Sequence, residues 1–323
     1  MGKISDSSVR MAGDIMSLQK FLESIAQSFF MSHWVFGLLL MGLMTFFSPL
    51  HAAMGVLAAA LAWLAASQSR DSLPWEVREF GLVPLNGLFF GWIVSAHFEQ
   101  VPQTLALFMI GSILIPSVVR SLHFALSGVK LPVLILPAIL LSTLLSFVDP
   151  TLVSVHPRAV GTAAPGVIWP ALSSALESVG RWVLFPDLRL GAAISILLLV
   201  MSPRRFLHGA AGMGLGMIVI RVLKPDLGLD RISTYAFCSG VVALGLSSLP
   251  EKVRPVRVAV AALFAVLLSF AWVGFSESRG LPVLSVPYIL AFWGAQLSMR
   301  PQVRIARQDQ GQQHAPTLFR RAA

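Results

Sequence analysis

Long stretches of this chain carry no charged residue at all, among them 34–47, 52–66, 104–119, 131–147, 190–201, 258–274 and 282–297. A helix that crosses a bilayer needs roughly 20 predominantly apolar residues. In lipid the backbone has no water to bond, so helices or closed barrels are the available spans. Barrel strands alternate apolar and polar residues, and these runs do not. Composition agrees: 56% of the residues are hydrophobic and 12% are charged, where a soluble domain carries roughly a quarter charged. Mean hydropathy is +0.77. The expected fold class is an all-α membrane protein.

The runs come in two sets. Leu22-Glu23-Ser24 returns as Leu176-Glu177-Ser178, Gly37 as Gly191, Ser48-Pro49 as Ser202-Pro203 and Gly55 as Gly209, all at an offset of 154. Asn86-Gly87 faces Ser239-Gly240 at 153, and LPVLILPAIL (131–140) faces LPVLSVPYIL (281–290) at 150. Landmarks in one order with slowly drifting offsets mark a duplicated unit. Each copy offers five crossings, about 33–48, 50–68, 83–97, 103–127 and 131–147, then 187–202, 204–221, 234–249, 256–275 and 281–298. Five is odd, so the second copy enters from the opposite side. With the N-terminus inside, 17 of the 24 Lys and Arg fall on the cytoplasmic side, as the positive-inside rule asks. The expectation is ten transmembrane helices in two inverted five-helix repeats, both termini cytoplasmic, in the plasma (inner) membrane. Residues 1–19 form a cytoplasmic lead, 20–148 the first repeat, 149–170 an external linker, 171–298 the second repeat, and 299–323 a basic, disordered cytoplasmic tail.

This topology accounts for the net charge of +9 without nucleic acid. Cys238 is the single cysteine, so no intrachain disulfide exists, and it reads as space-filling. His33, His51, His123, His156 and His208 lack metal-ligand spacing; most lie near span boundaries. No metal or other cofactor is expected.

Inverted repeats place substrate sites between the copies, built from short or interrupted helices at corresponding positions. The third crossing of each copy is short, and the fifth is the proline decamer. In each decamer the first Pro suits a helix start. The second, Pro137 or Pro287, removes a donor and frees a carbonyl one turn earlier, which must face protein or a wet cavity. Two half-spans meeting around one pore are expected. Mid-membrane charge, which marks ion and proton relays, is nearly absent, and there is no Walker loop. A coupled pump or ion-selective pore is disfavoured, and a neutral polar solute moving down its gradient fits better. No clustered nucleophile and base supports an intramembrane enzyme. Asn86, Ser239, Ser285, Phe30, Phe89 and Phe90 are candidate lining.

Asn86-Gly87-Leu88-Phe89-Phe90-Gly91 resembles the N-G-x-L-V-G element of urea transporters. The two decamers resemble that family's repeated L-P-x-x-T-x-P-F element, and Ile25-Ala26-Gln27-Ser28-Phe29-Phe30 resembles its G-Q-V-x-F stretch. The resemblance runs from about residue 20 to 298. It implies a homotrimer with one pore per protomer, re-entrant pore helices at about 71–82 and 226–233, and urea filing between aromatic rings past a ladder of acceptors. By motif position Gln27 and Phe30 would line one mouth, Leu85 and Asn86 would follow, and Phe89, Leu184, Val242, Ile135 and Ser285 would line the middle. Partners are a small neutral solute and membrane lipid.

The sequence also departs from the pattern. The family's middle threonine is Ile135 in one copy and Ser285 in the other. Its Asn-Asn-Pro element is Ser32-His33-Trp34 and Pro186-Asp187-Leu188. Ser239 replaces the second asparagine, and Arg181 stands where the second copy should offer glutamine, as a gatepost at the pore mouth or a headgroup anchor. A site built around a hydrogen bond discriminates strongly when that partner is lost. Two readings stay open: a channel for urea or a related small amide, and a degenerate member passing another small neutral solute such as ammonia, or serving as a membrane scaffold or sensor.

Overall fold

The computed structural model describes residues 18–68, 74, 81–153, 168–249, 255–279 and 285–313. Among them the chain forms α-helices and short 3-10 turns, with one isolated β-bridge between Phe98 and Val153. The first half holds α1 (18–26), α2 (Trp34–Phe47), α3 (Pro49–Gln68), α4 (Leu82–His97), α5 (Pro102–Ser127) and α6 (Leu136–Val148). The second holds α7 (Ile168–Gly180), α8 (Leu188–Met201), α9 (Pro203–Leu223), α10 (Leu229–Ser247), α11 (Pro255–Ser278) and α12 (Val286–Gln313).

The duplicated landmarks turn out to be joints. A 3-10 turn follows α1 at Gln27–Phe29 and α7 at Arg181–Val183. Each turn ends on a left-handed residue, Phe30 (φ 56°, ψ 23°) or Leu184 (φ 60°, ψ 21°). The Phe30 and Leu184 amides donate to Gln27 and Arg181 carbonyls, both at 2.9 Å. These elbows bend the apolar helix pairs by 76° and 81°. Ser48 and Ser202 break the next joint with near-identical dihedrals (φ −151°, ψ 79° and φ −154°, ψ 74°). A residue before proline is driven out of the helical region, and proline is suited to the first helical position. Gly37 and Gly191 lie where α2 and α8 run against the preceding helix: a Cβ would sit 2.0 Å from the Leu22 carbonyl oxygen and 1.8 Å from that of Leu176. That contact explains why the Leu-Glu-Ser and glycine landmarks recur together.

The copies are inverted. α2 packs on α8, its own counterpart. The elbow that opens α2 touches Arg205, just past the end of α8, through the Phe30 carbonyl. At the other end His51, just past the end of α2, bonds the Val183 carbonyl that precedes α8. Start meets end twice, so the equivalent helices run antiparallel. A second pair of counterparts, α6 and α12, also meets. α3 packs along α4 and α9 along α10 in the same way within each half. Gly87 permits the first approach: a Cβ there would lie 2.6 Å from the Ala59 Cα, the small-residue contact by which membrane helices come close.

Among the described residues four helices are long and apolar enough to cross a membrane alone, α3, α5, α9 and residues 255–276 of α11, and up to six spans result if each bent pair counts as one. α4 and α6 are shorter apolar helices. Three expectations are corrected. In the second half no separate re-entrant element precedes the third crossing: residues 229–233 are the first turns of the continuous helix α10, and among the described residues the bends sit at the front of each half. Of the segment 71–82, only Pro74, Gly81 and Leu82 are among the described residues, and Leu82 already opens α4. The tail expected to be disordered from residue 299 continues helical to Gln313. Finally, Pro137 frees no carbonyl inside a helix. Residues 131–135 are non-helical, Leu134 has φ 52°, and α6 begins at Leu136 with Pro137 in its first turn, where its missing N–H breaks no bond. α12 likewise starts at Val286, with Pro287 next; residues 281–284 lie outside the described residues.

Candidate functional site at the seam between the halves

Elbow residues come first because they lie where the halves meet. Gln27 and Arg181 occupy the same position of their turns, as do Phe30 and Leu184, and all four are half-buried. The Phe30 ring stacks on Phe292 of the opposite half, centroids 5.8 Å apart at 23°. It also lies against Gly245 of α10, whose Cβ would come within 2.7 Å of the ring. Behind it, Phe29 meets Trp182 across the seam at 5.5 Å. Arg181 donates from Nε to the Ser233 hydroxyl at 3.1 Å, and the Ser178 hydroxyl reaches the Ser233 carbonyl at 3.2 Å. Arg181 is thus tied into the protein at its elbow rather than turned away from it.

From α4, Leu85 and Phe89 are one helical turn apart and buried, and Phe89 meets Trp92 edge-on at 5.3 Å. Asn86, fully buried, is engaged at both ends of its amide. Its Nδ2 donates to the Leu82 carbonyl at 2.8 Å and to the Leu134 carbonyl at 2.9 Å, while Oδ1 accepts from the Ala138 amide at 3.2 Å. The side chain therefore pins the interrupted start of α6 to α4. This brings Asn86 beside Ile135, which is 5% exposed at the N-cap of α6. A carbonyl kept from water without a partner is costly, so the carbonyls of the non-helical stretch 131–135 matter. Two of them are taken: Leu134 by Asn86, and Pro132 by the Trp293 indole of the opposite half at 2.9 Å. They face protein.

On the second half Ser239 and Val242 lie one turn apart on α10 and are fully buried. Ser239 bonds only back along its own helix, to the Ala236 carbonyl at 2.6 Å. It does not reproduce the clamp made by Asn86. Ser285 lies at the bend before α12 and is 7% exposed.

The residues that replace Asn-Asn-Pro keep a structural task. His33 accepts from the Val35 amide at 3.4 Å and Asp187 from the Leu190 amide at 2.8 Å, so both cap the helix that follows. Oxygen and nitrogen acceptors at this position satisfy the free N–H groups of a first turn.

Two site residues escaped the sequence reading. His51 was placed at a boundary, yet it is 2% exposed. It stacks on Trp92 at 5.8 Å and 10°, contacts Phe185 at 5.7 Å, and bonds the Ser95 hydroxyl through Nδ1. Arg205 was counted among the cytoplasmic charges, yet its Nη1 turns into the seam. The signal was present: each follows a Ser-Pro pair by two residues, at the same offset of 154. Among the described residues no three His, Cys, Asp or Glu converge as metal ligands.

An all-α membrane protein of two inverted copies, with aromatic side chains and the cations Arg181 and Arg205 along the seam, has the architecture of transport proteins built from inverted repeats. The family model for the urea transporter matches residues 18–298. The chain belongs to the urea transporter family, whose members are channels rather than enzymes. No curated protein matches it at a significant level.

Proposed function

We propose that the protein is a passive channel for urea or a closely related small neutral amide, with its path along the seam. The observation that carries this reading is the antiparallel packing of α2 on α8, which brings the two elbows with Gln27, Phe30, Arg181 and Leu184 to opposite ends of one interface. Leu85, Asn86, Phe89 and Ile135 from one half, and Ser239, Val242 and Ser285 from the other, line the path between them. Arg181 is a gatepost at one mouth. The two repeats, 20–148 and 171–298, supply ten crossings, joined by an external linker, with both termini cytoplasmic. Three protomers assemble in the plasma (inner) membrane, each with its own path.

A second reading has its own support. Asn86 spends its amide on the protein, and Ile135 brings no hydroxyl. A lining with fewer free hydrogen-bonding groups suits a smaller neutral solute such as ammonia.

Stopped-flow light scattering on proteoliposomes tests both. Vesicles holding the protein reswell in a urea gradient faster than empty ones if the first reading is right. Equal urea rates together with faster alkalinisation in an ammonia gradient select the second, and equal rates in both remove the channel reading.

A further inference from the structure

The two hydrogen bonds that revealed the inversion form a matched pair. His51 and Arg205 are equivalent residues, two positions after equivalent Ser-Pro joints. Each reaches across the seam to the elbow of the other half. His51 Nε2 bonds the Val183 carbonyl at 2.7 Å, and Arg205 Nη1 bonds the Phe30 carbonyl at 2.6 Å while touching the Met31 sulfur at 3.0 Å. The carbonyls are one residue out of register, which the longer arginine accommodates. A carbonyl only accepts, so Nε2 of His51 carries a proton; the Ser95 hydroxyl meets Nδ1 and also lies 3.1 Å from the Trp92 carbonyl.

These carbonyls belong to the elbows that bend the two apolar helix pairs by 76° and 81°. Each elbow must hold a non-glycine residue in the left-handed region, a strained shape that persists only when surroundings fix it. The bond from the opposite half is such a fixture. We propose that His51 and Arg205 are positioning residues forming a reciprocal clasp: each half sets the elbow of the other, and so the width of the slot between them. The part concerning width rests on the channel reading above; the clasp itself does not.

The test separates the two. Amide hydrogen exchange on the full-length protein in detergent reads the elbows directly, through peptides spanning 26–33 and 180–187. Arg205→Met speeds exchange roughly fivefold in the first peptide and leaves the second unchanged, as the loss of one net hydrogen bond predicts. His51→Leu does the reverse. A general loss of stability loosens both together, and that outcome, or no change at the opposite elbow, overturns the clasp. If Arg205→Met does not fold, Arg205→Leu, which also lacks an N–H donor, takes its place and the same crossed pattern is required.

Transport gives the second arm. Arg205→Met raises the permeability ratio of N-methylurea to urea several-fold, and Arg205→Gln, which keeps an N–H donor, returns it toward the parent value. An unchanged ratio in a variant with a loosened elbow overturns the assignment of slot width to the clasp. A parent protein that passes neither urea nor ammonia sinks the channel reading, and the crossed exchange pattern still decides the clasp.

Discussion

Asn86 and Ser239 stand at equivalent positions with unequal duties. Asn86 makes three hydrogen bonds, two of which tie α4 to the start of α6, and Ser239 bonds only within α10. Removing Asn86 strands a half-buried carbonyl at Leu134 and a buried amide at Ala138. Asn86→Leu is expected to lower stability by about 1–2 kcal/mol. Ser239→Ala should cost less than about 0.6 kcal/mol, the mean for hydrogen bonds inside membrane proteins. Thermal unfolding in detergent ranks the two. The motif that holds Asn86 was legible in the sequence, and its burial followed from its apolar neighbours. Its partners were not legible, because they are main-chain atoms freed by an irregular segment 48 residues away. His51 shows the same limit from the other side. Amid apolar neighbours a lone histidine reads as a boundary residue until a carbonyl 132 positions later is seen against it.

The elements were legible where the sequence punctuates them. Ser48-Pro49 and Ser202-Pro203 end one helix and start the next by local sterics alone, and both joints form where the pairs stand. The elbows carry no such mark. Their left-handed residues are phenylalanine and leucine, where glycine or asparagine is the usual signal. Nothing local marks these bends, and the family resemblance points to re-entrant elements before the third crossings instead. The close approach of α2 to α1 and of α8 to α7 makes a prediction at this scale. Gly37→Ala and Gly191→Ala each press a methyl into a backbone carbonyl that cannot swing away. Overpacking of this kind costs about 1–3 kcal/mol. Gly42, in the same helix as Gly37, has nothing within 4 Å of an added Cβ. Gly42→Ala should be neutral or stabilise by up to about 1 kcal/mol through helix propensity. Comparing apparent melting temperatures of the three variants decides it.

At the scale of the whole molecule, inversion was legible from parity and the distribution of Lys and Arg, because an odd number of crossings leaves the second copy no alternative. The number of spans was less legible, since hydropathy runs do not distinguish a straight span from a bent pair. Inversion can be measured. Leu50 and Arg204 are equivalent and exposed, and Cys238 is 1% exposed, so it contributes little background labelling. Leu50→Cys and Arg204→Cys are expected to react with an impermeant maleimide from opposite sides of the membrane, in sealed right-side-out and inside-out vesicles. Labelling from one side for both would contradict the antiparallel arrangement.

The left-handed turns have a wider implication. Glycine would take that shape freely, yet both duplicates install a bulky hydrocarbon there, Phe30 and Leu184. What the molecule gains is packing: the Phe30 ring lies against Phe292 of the other half, and Leu184 is packed on the core. Ease of bending has been traded for a turn that carries its own filler.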